Sequence, residues 1–66
     1  MKNNIRVERA ILDITQQQLA EAIGVSRNTI NSIESGRYVP STVLALKIAR
    51  YFGKPTDSIF QLDEND

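Results

Sequence analysis

The segment TQQQLAEAIGVSRNTINSIESG, residues 15–36, constrains the fold more than any other part of the chain. Thr15 followed three residues later by Gln18 is a capping box, in which each side chain bonds the backbone N–H of the other residue at a helix start. Gly24 can take the left-handed conformation that ends a helix, and Ser26 can cap the next helix. The segment therefore predicts two helices, Gln16–Ile23 and Arg27–Ser35, joined by a tight turn.

The rest of the chain also consists of short helical runs between capping and stop signals. Asn4 can cap a first helix, and Gly53 ends a fourth. The further predicted helices are Ile5–Asp13, Thr42–Phe52 and Asp57–Phe60. Strand signals are limited to residues 61–62 and the first residues, which could form a brief terminal strand. We therefore predict a single all-α domain of five helices over residues 1–62 and a short acidic tail, residues 63–66.

The predicted third helix has two chemically different faces. At about 100° per residue, one arc of this helix holds only hydrogen-bonding side chains. These are Arg27, Asn28, Asn31 and Ser32. Thr29, Ile30 and Ile33 occupy the opposite side, which suits packing against another helix. Two helices joined in this way form a helix-turn-helix, which can place its second helix in the major groove of DNA. The same geometry also occurs in helical hairpins that bind nothing.

The charge of the chain is unevenly distributed, although its formal net charge is zero. All eight basic residues but only four of the eight acidic residues lie within residues 1–54, so this part carries +4 and the last twelve residues carry −4. A basic body can attract a polyanion on one face. Ordinary surface charge with a solvated tail explains the distribution equally well.

Several classes of protein are excluded by composition. The chain has no cysteine and no histidine, so it lacks the usual general bases, thiol nucleophiles and metal ligands. We therefore expect no enzyme, no cofactor and no metal site. No apolar run approaches the roughly 20 residues that span a bilayer, and the N-terminus lacks the apolar core of a signal peptide. We expect a cytoplasmic protein without membrane contact.

Residues of a known family recur at fixed spacing along nearly the whole chain. They are Thr15-Gln16-x-x-Leu19-Ala20, Gly24-Val25-Ser26-Arg27, Thr29-Ile30, Ile33-Glu34, Gly36-Arg37, Pro40-Ser41, Leu46-Lys47-Ile48-Ala49 and Ile59-Phe60. In this pattern the chain resembles the helix-turn-helix family of phage repressor and Cro proteins, also called the XRE family of small transcriptional regulators. The resemblance implies a compact domain like that of lambda repressor, with the helix-turn-helix formed by the second and third helices.

The resemblance also implies roles for individual residues. The residues at which family members read bases correspond to Arg27, Asn28 and Ser32, and Asn31 lies on the same arc. Arg9 and Glu34 match a pair that forms a salt bridge in relatives, linking the first helix to the end of the third.

Three further residues are expected at the phosphate backbone of DNA. Gln16 corresponds to a glutamine of the family that contacts a phosphate and supports the recognition helix. Ser26 is expected to combine capping with a phosphate or base contact, and Arg37 is expected beside a phosphate. Each has a simpler interpretation, since Gln16 could be only a first-turn helix residue, Ser26 only a cap and Arg37 only a solvated loop charge.

The first helix departs from the common pattern of the family. Glu8 stands where many members carry a large apolar residue, and Ile11 and Leu12 stand where charged residues are frequent. Val7 and Ile11 could therefore form a second apolar face for a partner or for the chain ends. We favour the alternative that they cover the fourth and fifth helices within the same chain.

Taken with the resemblance, the residues predict a sequence-specific regulator, a repressor, that binds double-stranded DNA. One such domain contacts few base pairs, so we expect a homodimer on a two-fold symmetric operator. Ile59, Phe60 and Leu62 are the candidate dimer contacts, although Phe60 could be core instead. No small-molecule ligand is expected. The alternative is an antitoxin-like or accessory module that uses the same fold to bind another protein.

Overall fold

Five helices and two very short strands make up the computed structural model, which describes residues 1–66. In chain order they are β1 (Lys2–Asn3), α1 (Ile5–Leu12), α2 (Gln16–Ile23), α3 (Arg27–Glu34), α4 (Thr42–Phe52), α5 (Thr56–Ile59) and β2 (Phe60–Gln61). None of the helices is both long enough and apolar enough to cross a lipid bilayer.

Local capping interactions place the starts of α2, α3 and α4. The capping box is present, because the Thr15 hydroxyl accepts a hydrogen bond from the Gln18 N–H at 3.0 Å and the Gln18 side chain accepts one from the Thr15 N–H at 2.8 Å. Ser26 and Ser41 accept bonds from backbone N–H groups three residues later, at 3.1 and 3.2 Å. Gly24 ends α2 with a φ of 87°, as predicted.

The observed bounds of α1, α3 and α5 lie within one residue of the approximate predicted bounds. α1 ends at Leu12, because Asp13 adopts the left-handed conformation, with a φ of 55°. α3 ends at Glu34 rather than Ser35, and α5 spans Thr56–Ile59 because Phe60 is already in a strand. The predicted side-chain cap by Asn4 is also absent. Its amide nitrogen donates instead to the Ser58 carbonyl oxygen at 3.1 Å, so it ties the start of α1 to α5.

The fold is mostly helical but not strictly all-α, because the two ends of the chain pair as a small antiparallel sheet. Lys2 lies opposite Gln61, and Asn3 lies opposite Phe60. The terminal ammonium group of Met1 adds ion pairs to Asp63 and Asp66, both at 3.1 Å. The hydrogen bond to Asp63 raises the pKa of this ammonium group. The predicted acidic tail is therefore folded back onto the start of the chain.

A single cluster of apolar side chains holds the helices together. It consists of Ile5, Leu19, Ala20, Ile23, Ile30, Ile33, Leu44, Ile48, Ala49, Ile59 and Phe60. Each helix contributes at least one of these residues, so the helices stabilise one another mainly through this shared core. Ala20 is fully buried in α2, the helix that packs on α3. The small alanine allows close approach of a neighbouring helix.

The prediction about the apolar face of the first helix is wrong. Val7 and Ile11 do not cover α4 and α5, because they are 58% and 66% exposed. On α4, Val43 and Leu46 are also mostly exposed. The inward position on α1 belongs to Glu8, whose carboxylate lies 2.7 Å from the ammonium group of Lys54. With Glu8 on the inward side of α1, Val7 and Ile11 face outward.

Candidate nucleic-acid interface

The polar arc of α3 lies at the surface of the folded protein. Its residues Arg27, Asn28 and Asn31 are exposed, and Ser32 is half-buried. On the opposite side, Ile30 and Ile33 are almost completely buried. The helix is therefore anchored by one face and presents the other to solvent. All four residues predicted to read bases share this presented face, which we call the polar arc.

The turn before α3 fixes where this helix begins. The N–H groups of Gly24 and Val25 both donate to the Ala20 carbonyl oxygen, at 2.8 and 3.0 Å, and this closes the end of α2. Ser26 then caps α3 through the bond to the Thr29 N–H. Ser26 therefore acts as the predicted cap, and its contact with a phosphate stays a prediction. Because Ser26 caps α3, Arg27 lies in the first turn of this helix.

A buried ion pair holds α3 from behind. The Arg9 guanidinium contacts both carboxylate oxygens of Glu34, with Nε 2.6 Å from Oε2 and Nη2 3.0 Å from Oε1. Its Nη1 also donates to the Ile14 carbonyl oxygen at 3.1 Å. The Glu34 side chain is only 1% exposed, and the hydrogen bond to it raises the pKa of Arg9. The structure thus contains the ion pair that the resemblance implied, and it fastens α1 to the end of α3.

Gln16 joins this ion pair to the polar arc. Its Nε2 lies 3.3 Å from Oε1 of Glu34 and 3.3 Å from Oδ1 of Asn31. The donor group of the side chain is therefore turned toward the protein. Phosphate binding by Gln16 stays a prediction. In this conformation, the groups free to donate to a phosphate are the backbone N–H groups of Gln16 and Gln17, because the Gln18 N–H already donates to the Thr15 hydroxyl.

The chain that follows α3 forms one rim of the polar arc. The N–H groups of Arg37 and Tyr38 both donate to the Ser32 carbonyl oxygen, at 3.0 and 3.2 Å. This folds the turn against the end of the helix. The Arg37 side chain is exposed, and its Nε donates to the Ser35 hydroxyl at 3.1 Å. The phosphate contact of Arg37 stays a prediction, and the exposed side chain is accessible to a phosphate.

Sequence reasoning missed two residues beside the polar arc. Tyr38 is 47% exposed and lines a shallow groove together with Asn28 and Ser32. Gln17 is exposed in the first turn of α2 and lines a second groove with Arg27. Tyr38 could have been found from its position two residues after Gly36, close to the end of the third helix. Gln17 could have been found from its position next to Gln16 in the first turn of the second helix.

The three candidate dimer contacts are not presented together. Ile59 is fully buried and Phe60 is 6% exposed, because both pack in the core of the same chain. Leu62 is 77% exposed. Two of the three residues therefore cannot form an exposed contact surface, which corrects the prediction for Ile59 and Phe60. The prediction used these two apolar side chains for contact with a second subunit. A domain this small needs them for its own core.

Comparison with known proteins identifies the family of the chain. The family profile described as helix-turn-helix matches residues 5–59. The chain belongs to this helix-turn-helix family. The match runs from the first residue of α1 to the last residue of α5, so it includes every helix.

Two relatives of this helix-turn-helix protein match it over their whole length, and a third matches it over 57% of its own length. An HTH-type transcriptional regulator of Methanocaldococcus jannaschii, itself uncharacterized, is 46% identical over 66 residues, and the alignment covers 100% of both chains. The uncharacterized HTH-type regulator YgzD of Bacillus subtilis is 42% identical with the same coverage. The transcriptional repressor RstR of the cryptic phage CTXphi of Vibrio cholerae is 35% identical, over 92% of this chain and 57% of the repressor.

The predicted resemblance to the family of phage repressors is confirmed by these matches. The helix-turn-helix family consists of DNA-binding transcriptional regulators rather than enzymes, and the chain belongs to this class. The polar arc of α3 is the part of the structure that suits contact with DNA.

Proposed function

We propose that this protein is a transcriptional repressor that reads the major groove with α3 and binds a two-fold symmetric operator as a homodimer. The observation that carries the proposal is the polar arc, in which four hydrogen-bonding side chains occupy the exposed side of a helix braced by a buried ion pair. Base edges in the major groove offer donors and acceptors that Arg and Asn can match. A helix-turn-helix protein named as a phage repressor, RstR, supports repression as the outcome.

The residues of the polar arc have different expected partners. Arg27 lies in the first turn of α3, where a recognition helix meets the bases, and its planar guanidinium suits O6 and N7 of guanine. Asn28 follows it on the same exposed side and suits adenine, which offers one donor and one acceptor. Ser32 lies one turn further along, beside Arg37 on the rim. We expect Arg37 and the first two backbone N–H groups of α2 to bind phosphates.

The experiment begins with selection of bound fragments from random DNA, followed by footprinting of the selected site. The half-sites should be related by a two-fold axis, with centres about 34 Å apart. Arg27→Ala should weaken binding to the selected site by about 1–3 kcal/mol and relax the preference at one base pair of each half-site. Asn28→Ala should do the same at a neighbouring base pair.

Arg50→Ala is the matched control, because Arg50 is an exposed arginine on α4, outside the polar arc. It removes the same charge and should leave every base preference intact. All affinities are compared at one salt concentration, since phosphate binding depends strongly on salt. The proposal is wrong if the base preferences of Arg27→Ala and Asn28→Ala equal those of the unchanged protein.

The exposed apolar side chains of α1 favour a second candidate function. Val7 and Ile11 are four positions apart, so they lie on one face of the helix, away from the core. A protein partner that covered this face would make the chain an antitoxin-like or accessory module. Binding of a partner without any selected DNA sequence would support this second function.

A further inference from the structure

A shallow groove borders the polar arc on the side where the chain leaves α3. The side chains that line it belong to Tyr38, Asn28, Thr29 and Ser32. At about 100° per residue, the three lining residues of α3 follow one another around the helix axis, at the edge of the arc away from Arg27. The groove is therefore continuous with the surface proposed to read bases.

The turn that ends α3 fixes the position of Tyr38 beside this groove. The N–H groups of Tyr38 and Arg37 both donate to the Ser32 carbonyl oxygen, at 3.2 and 3.0 Å. Two residues after Tyr38, Pro40 is buried and anchors the turn to the domain. Tyr38 itself is 47% exposed, so about half of its surface is already covered by the chain. A side chain held in this way has little conformational freedom left to lose when it contacts DNA.

The groove presents a surface that is mostly carbon and carries no charge. None of its four lining residues is ionisable near neutral pH, and the largest is the tyrosine ring. The Thr29 hydroxyl lies 3.0 Å from the Ser26 hydroxyl, so its polar end is engaged at the cap of α3. The methyl group is the free end of that side chain. An apolar recess of this kind suits an apolar group of the DNA rather than a phosphate.

Thymine supplies such a group. Its C5 methyl projects into the major groove, where the other features that distinguish the base pairs are hydrogen-bond donors and acceptors. Apolar side chains and the methyl group of threonine are among the usual contacts of this methyl group. The groove beside α3 therefore matches one base of the four by its shape and apolar surface.

We propose that Tyr38 is a specificity-determining residue and that its groove receives the C5 methyl group of a thymine. This inference rests on the proposed function, in which α3 reads bases. Asn28 both lines the groove and lies on the polar arc, so the thymine belongs to the base pair read by Asn28 or to an adjacent pair. Base preference then has two sources, hydrogen bonds from the helix and an apolar contact from the turn that follows it.

Deoxyuridine measures this contact directly, because it lacks only the C5 methyl group and keeps every hydrogen-bonding group of thymidine. Each thymine at the Asn28 pair and its neighbours is replaced in one half-site of the selected operator. At one of these positions the replacement should weaken binding of the unchanged chain about fourfold, the effect of withdrawing one methyl group from an apolar contact.

Two substitutions of Tyr38 separate the ring from its hydroxyl group. Tyr38→Ala removes the ring, so it should bind the thymine and uracil operators equally. Tyr38→Phe keeps the ring and should keep the fourfold effect of uracil. The Tyr38 hydroxyl makes no hydrogen bond within the chain, so a contact of this group with a phosphate is the competing explanation. That contact would be lost in both variants and would not depend on the methyl group.

Tyr51→Ala is the matched control. Tyr51 is the other tyrosine of the chain, is 39% exposed, and lies on α4 outside the groove. Its removal should leave the effect of uracil at full size. Circular dichroism melting shows that each variant is folded at the temperature of the binding measurement.

Three results would overturn the inference while leaving the proposed function in place. Uracil could bind as tightly as thymine at the Asn28 pair and its neighbours, the effect of uracil could persist undiminished in Tyr38→Ala, or Tyr38→Phe could weaken all sequences as much as Tyr38→Ala does. Failure of the proposed function is different, because Arg27→Ala and Asn28→Ala would then leave every base preference intact. In that case both the function and this inference are wrong.

Discussion

Replacing the two members of the Glu8–Lys54 ion pair one at a time tests how α1 is held against the core. The carboxylate of Glu8 occupies the inward side of α1 with its side chain 10% exposed, whereas the Lys54 side chain is 44% exposed. The two groups meet at 2.7 Å. Because their burial differs, the two single substitutions should have unequal effects on the free energy of unfolding.

Lys54→Met leaves a nearly buried carboxylate without its cation. Breaking a fully buried pair in this way costs about 3–5 kcal/mol, and breaking an exposed pair costs about 1 kcal/mol or less. Since Lys54 is almost half exposed, we expect an intermediate loss of about 2 kcal/mol. For a domain of this size that lowers the melting temperature by roughly 8–16 °C.

Glu8→Leu removes the carboxylate and supplies an apolar group of similar volume. The ammonium group of Lys54 can then return to solvent along its flexible side chain. Replacing a buried charge by a well-packed apolar residue is often neutral or stabilising, so the expected change in unfolding free energy is between zero and a gain of about 2 kcal/mol. The unfolding free energy of the double variant should be close to that of Glu8→Leu alone, because no unpaired carboxylate remains.

Urea unfolding followed by circular dichroism gives the free energy of unfolding of all four proteins. Equal slopes of this free energy against urea concentration confirm that only stability has changed. The four values form a double-mutant cycle, which isolates the interaction between the two side chains. The reasoning is refuted if Glu8→Leu destabilises the protein as much as Lys54→Met does. That result would mean that the ion pair contributes net stability rather than compensating for a carboxylate in an apolar position.

Two further predictions concern packing and assembly. Ala20→Leu should cost about 1–3 kcal/mol by overpacking the buried face of α2 next to α3, and an unchanged thermal melt would show that the two helices are not in close contact there. Phe60→Asp should abolish the folded circular dichroism spectrum because Phe60 is core, whereas Leu62→Asp should stay folded. If Leu62 lies at the two-fold contact, sedimentation of Leu62→Asp should show a monomer with weaker operator binding, and a dimer of unchanged affinity would remove Leu62 from the interface.

The helix-turn-helix could be predicted from the sequence because its determinants are local. Thr15 and Gln18 form the capping box within one turn, and Gly24 ends α2 by its own backbone conformation. The outward position of Arg27 followed from the helical period, because Ile30 and Ile33 on the other side had to be buried. Interactions among residues three or four apart in the sequence determine all of these features.

The first helix could not be predicted in the same way. Counted by apolar residues alone, Val7 and Ile11 would have faced the core, but the structure places Glu8 there. Glu8 is paired there with Lys54, which is 46 positions away in the sequence, and no local pattern reveals such a contact. The pairing of β1 with β2 is also a contact between the two ends of the chain, and it brings Phe60 into the core.

The sequence by itself determined that α3 presents a polar arc and which residues lie on it. It also determined the family, since the matched residues have fixed spacing along the chain. Only the tertiary structure decided which way the amide of Asn31 on that arc points. Gln16, Asn31 and Glu34 come from two helices, and the direction of their hydrogen bonds depends on the guanidinium of Arg9 from a third. A carboxylate that only accepts hydrogen bonds imposes one orientation on its neighbours, and this constraint exists only after the three helices have packed together.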